Sequence, residues 1–247
     1  MGDRIVRRAS LGSIVAIAVV MTVLAVFLAP PAGASRSDLA WDLRPRIVWT
    51  PIPFPDLRKD QMAAYSQRHY GKGGWRLRDP LMVVQHFTDG TSFDPAWQTF
   101  AANSSHLGEK PGTCAHFIID TDGTIYQLVE RDVRCRHVIG LNDVSIGIEH
   151  VGRSARGILR NRAMMRSSMR LTLWLIATYR IEVRNVIGHA ESLESPYHHE
   201  RYRDWRCMTH ADFGHRSMRV YRERLREEAR RHDVPVGPSP EWVDPDC

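Results

Sequence analysis

The sequence predicts an α/β fold: a single domain with a mixed central β-sheet flanked by helices. Short apolar runs typical of strands alternate with segments of helical periodicity, a pattern that indicates a sheet with helices packed on its faces. One pair of apolar runs, within residues 115–129, is joined by the turn Thr121-Asp122-Gly123 and therefore predicts a hairpin. The chain is 43% hydrophobic and 25% charged, which is ordinary for a globular protein.

Each predicted element has its own signal. β-branched and apolar residues predict strands at 81–87, on both sides of the hairpin turn, at 145–152 and at 181–191. Amphipathic periodicity predicts helices at 56–71, 92–103, 159–180 and 216–231. In the first helix Asp56 is the expected cap and Gly71 the expected stop.

The amino terminus has the pattern of a secretory signal peptide. Three arginines precede residues 11–29, which carry no charge, and Ala32 and Ala34 then form an A-x-A cleavage site. We expect residues 1–34 to be removed and the rest to be secreted or held in the cell envelope. The apolar run is long enough for an uncleaved anchor, and we expect a membrane association only in that case.

Composition shifts divide the rest of the chain. Residues 35–80 are predicted to form an N-terminal arm with one short helix, residues 81–232 the functional domain, and residues 233–247 a loosely ordered Pro-rich tail. The formal net charge falls from +6 to +4 when residues 1–34, with three Arg and one Asp, are removed. This basic balance suits an anionic surface such as a cell wall or membrane. Without a concentrated basic tract we expect no nucleic-acid partner, and we expect a monomer.

Four cysteines remain in the exported part, where disulfides are permitted. We predict at least one disulfide, and Cys114 with Cys135, which flank the hairpin, is the first pair to consider. Sequence alone leaves all three complete pairings open.

Two predicted strands run into a histidine, and this repeated pattern indicates a metal site. His86 ends "VVQHF" and His189 follows "VRNVIG", so neighbouring strands would bring both imidazoles to one edge of the sheet. Zinc takes imidazole nitrogen readily, and a catalytic zinc needs three protein ligands with one position open. The third ligand is expected among the downstream residues His198, His199, Cys207, His210, Asp212 and His215.

A carboxylate at the end of a buried strand is the second chemical signal. Glu149 lies in "SIGIEHVG", where a buried acid is costly unless it is paired or used. Beside a zinc site it is expected to act as a general base toward water.

Four motifs, "VVQHFT", "AHFIIDTDGTIYQLV", "NDVSIGIEHVG" and "VIGHAE", occur in this order over roughly residues 80–215. Together they resemble the zinc-dependent N-acetylmuramoyl-L-alanine amidases, a superfamily that includes the peptidoglycan recognition proteins. The resemblance implies one Zn²⁺ per chain, a peptidoglycan or muropeptide substrate, and hydrolysis of the bond between N-acetylmuramic acid and L-alanine.

The resemblance also implies roles for single residues. His86 and His189 match the zinc ligands, Glu149 the catalytic glutamate and His137 a residue of the substrate groove. The third position reads "HADF", where the family often has Lys-x-Asp-Pro-Gly. This correspondence makes Asp212 a ligand and His210 a catalytic residue that stabilises the oxyanion, with His210 as the rival ligand.

Two other interpretations remain open at this point. A peptidoglycan-binding module without hydrolysis would share the fold. A closed structural zinc site would need a fourth ligand, for which His150 or Cys207 are the available residues.

Overall fold

The computed structural model describes residues 36–245 and 247. The predicted signal peptide, and with it the anchor alternative, lies outside these residues. No helix within the described residues is both long enough and apolar enough to cross a membrane.

The prediction of one mixed sheet flanked by helices is confirmed. The six strands are β1 (Val48–Trp49), β2 (Met82–Phe87), β3 (Phe117–Ile119), β4 (Ile125–Gln127), β5 (Ser145–His150) and β6 (Val186–Gly188). Their order across the sheet is β1-β4-β3-β5-β2-β6. β3 and β4 form the antiparallel hairpin, and the other neighbouring strands run parallel.

Within the part of the chain that the structure describes, six α-helices accompany this sheet. They are α1 (Arg36–Leu43), α2 (Asp56–Tyr70), α3 (Phe93–Ala101), α4 (Ala155–Arg160), α5 (Arg162–Tyr179) and α6 (His215–Arg231). The centre of α5 is almost entirely buried, and it contributes Leu171, Leu173 and Leu175 to the main hydrophobic core. Because α5 also packs against α1, α4 and α6, it is the central helix of the helical layer.

The side chains of β2 and β5 alternate between the two faces of the sheet, as in any strand. Gln85 and His150 point toward the helical layer, where they bond to Thr172 and Ser168 of α5. His86 pairs in register with Glu149, and both therefore point to the opposite face. This face carries the candidate site.

The N-terminal arm differs from the prediction of an extended segment with one helix. Residues 36–43 form the additional helix α1, and β1 adds a parallel edge strand beside β4. Asp56 is also not the cap of α2: Pro55 occupies that position and Asp56 lies in the first helical turn. Gly71 does end α2, in the left-handed conformation with φ 70°.

The predicted helix 159–180 is in fact two helices that meet at Asn161. The Asn161 side chain accepts hydrogen bonds from the backbone N–H groups of Ala163 and Met164, which begins α5. An Asn side chain that satisfies the first free N–H groups favours a new helix start over continuation of the old one.

Two disulfides are present, and they use all four cysteines. Cys114 pairs with Cys135, as the sequence favoured, and Cys207 pairs with Cys247. The tail was expected to be loosely ordered, but the second disulfide fixes its end. The Val243 N–H also donates to the Glu194 carbonyl at 3.0 Å, and Trp242 packs edge-on against His215.

Candidate metal centre and active site

Three side chains converge on one point at the carboxyl ends of β2 and β6. His86 Nδ1 lies 3.1 Å from His189 Nδ1 and 3.2 Å from Asp212 Oδ2. His189 Nδ1 lies 3.1 Å from Asp212 Oδ1. Among the described residues this is the group of His, Cys, Asp or Glu that could hold a metal ion.

Each of the three donors comes from a different kind of segment. His86 is the penultimate residue of β2, and His189 directly follows β6, at the start of a 3₁₀ segment (His189–Glu194). Asp212 lies in an irregular stretch just before α6, where its carbonyl accepts a hydrogen bond from the Ala190 N–H at 3.0 Å. That bond ties the segment of the third donor to the segment of the second.

Gly188 makes this close approach possible. A Cβ atom at Gly188 would lie 1.7 Å from the Phe213 carbonyl oxygen, so any larger residue must displace the chain next to Asp212. The glycine before His189 in "VIGHAE" thus has a steric function in bringing Asp212 to the site.

The protonation states of Asp212, His86 and His189 depend on one another. Burial opposes ionisation of Asp212, but the hydrogen bonds from His189 and His86 outweigh it and keep the Asp212 pKa below its usual range. Burial also disfavours protonation of His86, yet the bond to Asp212 and the charge of Glu149 raise the pKa of His86. Burial dominates at His189 and lowers its pKa. A metal requires an ionised Asp212 and two neutral histidines, so its binding would displace the proton that the raised pKa of His86 favours.

Glu149 lies beside this group and has a free oxygen. Its Oε2 is buried and has no hydrogen-bond partner. Burial raises the pKa of Glu149 to about 7; the charge of His86 opposes this and that of Asp212 adds to it. A carboxyl group poised near neutral pH, next to a possible metal site, has the properties of a general acid–base residue.

His137 contacts the site from the adjoining loop. Its Nδ1 lies 3.0 Å from His86 Nε2, on the side of the His86 ring that faces away from Asp212. Burial, followed by the neighbouring His86, lowers the pKa of His137 well below the usual value, so the ring is neutral and can accept a hydrogen bond from His86. The predicted groove residue is therefore also a contact that orients a candidate ligand.

His210 is next to the group but is not enclosed by it. Its side chain is 79% exposed, whereas that of Asp212 is 4% exposed. His210 Nδ1 lies 3.3 Å from Asp212 Oδ1, and its ring stacks on His189 with centroids 5.6 Å apart. The structure thus places Asp212 at the centre and His210 at the solvent-facing rim.

The remaining downstream candidates lie elsewhere in the structure. His215 bonds to Glu191 and Glu194, and Cys207 forms a disulfide. His150 points to the other face of the sheet. The fourth ligand of a closed structural site is therefore supplied neither by His150 nor by Cys207.

The sequence analysis missed the role of His150 behind the site. His150 Nδ1–H donates to the His86 backbone carbonyl at 2.9 Å, and its Nε2 accepts from the Ser168 hydroxyl at 2.8 Å. Ser168 in turn contacts the Tyr221 hydroxyl at 2.7 Å, which links β2, α5 and α6. The available signal was its position next to Glu149, because adjacent strand residues face opposite sides.

A sequence model of the N-acetylmuramoyl-L-alanine amidase family matches residues 76–212, more than half of the chain. The match includes all six residues that the sequence analysis proposed for the site. No protein with curated annotation matches the chain.

Solved structures similar to this one include the following three. The endolysin amidase LysCS from Clostridium intestinale is 22% identical and covers 59% of this chain and 81% of its own, with a TM-score of 0.42. The E. coli amidase AmiD, solved with anhydro-N-acetylmuramic acid-L-Ala-D-gamma-Glu-L-Lys, is 24% identical, with coverages of 46% and 49% and a TM-score of 0.38. Human PGRP-IBETAC, solved with a glycosamyl muramyl pentapeptide, is 19% identical, with coverages of 46% and 74% and a TM-score of 0.39.

Proposed function

The chain belongs to the N-acetylmuramoyl-L-alanine amidase family, and on that premise we propose that it is a zinc-dependent hydrolase of peptidoglycan. The bond it cleaves is the amide between N-acetylmuramic acid and L-alanine. The observation that carries this proposal is the convergence of His86, His189 and Asp212 next to the unpartnered carboxylate oxygen of Glu149.

The three donors fit a single zinc ion. Zinc binds nitrogen and carboxylate oxygen at about 2.0–2.2 Å in tetrahedral sites, which places neighbouring ligand atoms roughly 3.3 Å apart. The two histidine Nδ1 atoms lie 3.1 Å apart, and each lies at a similar distance from one Asp212 oxygen: His86 at 3.2 Å from Oδ2 and His189 at 3.1 Å from Oδ1. When bound, zinc supplies Lewis-acid chemistry: it polarises a carbonyl oxygen and makes water more acidic.

Glu149 moves the proton in this proposal. Its buried Oε2 accepts a proton from the attacking water, and the same oxygen then delivers that proton to the nitrogen of the departing L-alanine. A pKa of about 7 suits both directions of transfer, because neither the acid nor the base form is strongly favoured near neutral pH.

Three further histidines have supporting roles: two hold His86 in place, and one stabilises the oxyanion of the substrate. His137 contacts the ring of His86, and His150 Nδ1–H donates to the His86 backbone carbonyl; together they hold His86 so that its Nδ1 points into the site. His210, at the exposed rim, is positioned to donate a hydrogen bond to the oxyanion that forms on the substrate carbonyl. His210 needs no buried position for that role, since the substrate itself covers the rim.

The substitution Glu149→Gln tests the proposal. It keeps the size of the side chain but removes its basicity, so kcat on a soluble muropeptide should fall by roughly 100-fold or more. Zinc content should stay unchanged, because Glu149 is not a ligand. Glu130→Gln is the matched control, because Glu130 is exposed and is not one of the residues that form the metal centre.

Two results would count against this assignment. Unchanged turnover in Glu149→Gln would remove the proposed base. A wild-type, zinc-loaded protein that binds muropeptide but releases no product would make the chain a binding module.

We also propose that the protein is exported. The amino-terminal pattern supports this, and so do the two disulfides, which use all four cysteines and persist in oxidising compartments. Amino-terminal sequencing of the protein released by a producing cell should start near Ser35. A chain that starts at Met1 and stays with the membrane fraction would contradict cleavage.

A further inference from the structure

Four arginines surround a concave surface that takes no part in the proposed reaction. Arg44, Arg46, Arg166 and Arg170 line a hollow of about 660 Å³, together with the turn of the β3–β4 hairpin. All four residues are exposed. None of the residues of the metal centre contributes to this hollow.

Four positive charges and one negative charge line this hollow, so it keeps a net positive charge. None of the four guanidinium groups forms an ion pair within residues 36–245 and 247; Arg170 donates to the Asp42 backbone carbonyl at 2.9 Å. Asp122 is the one acidic residue in the lining, and its carboxylate accepts hydrogen bonds from the N–H and hydroxyl of Thr124 at 2.8 and 2.9 Å. Unpaired like charges around a concave surface create a positive potential that attracts anions.

The basic surface continues beyond the first hollow. Arg44 also lines a second hollow of about 410 Å³, to which Arg131 and Arg180 add two further positive charges. Trp41 lies in the same lining, and 74% of it is exposed. A Trp next to arginines is the combination found where proteins meet the interface of a lipid bilayer.

The position of this surface leaves the metal centre accessible. Arg166 and Arg170 belong to α5, which packs on the side of the sheet toward which Gln85 and His150 point. His86 and Glu149 point to the other side. A ligand on the arginine surface and a substrate at the metal centre therefore do not compete for space.

We propose that this arginine surface, defined by the two hollows, binds the phosphate headgroups of an anionic membrane. A membrane is favoured over a soluble phosphate because the charges extend over two hollows that share Arg44, and the exposed Trp41 lines the second of them. It is favoured over nucleic acid because the proposed export places the domain beside lipid. The inference is independent of the amidase chemistry, and it applies to the cleaved chain.

Vesicle binding tests this directly. Residues 34–247 form one compact unit that holds both disulfides, so the chain from Ser35 is used, without the apolar run. It should bind vesicles of phosphatidylcholine mixed with phosphatidylglycerol and not vesicles of phosphatidylcholine alone. The triple variant Arg46→Gln, Arg166→Gln, Arg170→Gln should bind the mixed vesicles roughly 100-fold more weakly, since each arginine near an anionic surface contributes about a factor of five.

A second triple variant controls for net charge. Lys72→Gln, Arg78→Gln and Arg203→Gln remove three exposed charges that line neither hollow. This variant should keep most of the vesicle binding, and both variants should keep wild-type turnover of a soluble muropeptide, which reports on folding. An equal loss of binding in the two variants would overturn the proposal, because net charge alone would then explain it.

Two competitors separate the possible sources of phosphate. Inorganic phosphate should displace the protein from vesicles no better than chloride at the same ionic strength. Selective displacement by phosphate would assign the hollow to a soluble anion and overturn the membrane assignment. Tighter binding to a single-stranded oligonucleotide than to mixed vesicles, dependent on the same three arginines, would overturn it as well.

Discussion

At the scale of single residues, two side chains of the candidate site that touch each other, Asp212 and His210, differ strongly in exposure. Asp212 is buried and contacts His86 and His189, while His210 is exposed and contacts Asp212 from outside. Burial of a carboxylate is costly unless it is paired, and both imidazoles reach the Asp212 carboxylate while His210 touches it only from the solvent side. The geometry therefore favours Asp212 as the third zinc ligand and leaves His210 for contact with the substrate.

The comparison of Asp212→Ala with His210→Ala tests this distinction. Asp212→Ala should lower zinc affinity by more than the roughly 10- to 100-fold that changes outside the ligand set cause. His210→Ala should retain one zinc per chain and lose activity only. Metal analysis after dialysis against a weak chelator measures both variants, and loss of zinc in His210→Ala alone would reverse the assignment.

At the scale of elements, one buried histidine joins the hairpin to the strand of the proposed base. His116, directly before β3, accepts a hydrogen bond from the Gly147 N–H of β5 at 3.0 Å. Its Nε2–H donates to the Val133 carbonyl at 2.8 Å. Both ring nitrogens are used in the neutral form, and burial lowers the pKa of His116 to about 4.

This link predicts a loss of stability in acid. Because the pKa of His116 is about 4 in the folded state and the ordinary value of 6.5 when unfolded, the unfolded chain takes up the proton first as the pH falls. The contribution of His116 to the free energy of unfolding is therefore largest above pH 6.5, and it should fall by about 2 kcal/mol between pH 7 and pH 5. The loss ends below pH 4, where both states are protonated.

Denaturant unfolding of the wild type and of His116→Gln at the two pH values isolates the contribution of His116. The variant should be less stable at pH 7 but should lose about 2 kcal/mol less on acidification. If the free energy of unfolding falls by the same amount in both proteins on acidification, the decrease belongs to other groups. His150 is one such group, because burial also lowers its pKa to about 4.

The elements also show what the sequence could and could not predict. Strands β2 and β5 and the hairpin were predicted because each places a continuous apolar run next to a turn or a polar end. β1 was missed because it has only two residues, both exposed, so it carries no periodic signal. The apolar spacing continues across Asn161 and therefore predicts one helix, whereas the capping role of Asn161 depends on backbone geometry that the spacing does not show.

At the scale of the whole molecule, the candidate site and the helix α5 lie on opposite faces of the sheet. His86 and Glu149 were predictable because strand-end polar residues are conspicuous in the sequence. Asp212 was assigned through family resemblance, since it lies in an irregular segment 23 residues after His189 with no periodic pattern. The arginine surface was not predictable, because its arginines come from the chain between α1 and β1, from the chain after β4 and from α5 with its carboxyl end, and they converge only in the fold.

The central proposal is that the protein hydrolyses the bond between N-acetylmuramic acid and L-alanine, and one measurement on purified peptidoglycan tests it most directly. Zinc-loaded wild type should release new amino groups that belong to L-alanine, without new reducing sugar ends, because the glycan strands stay intact. Glu149→Gln should release neither above background. New reducing ends, or no new L-alanine amines from a protein that holds zinc, would contradict the account.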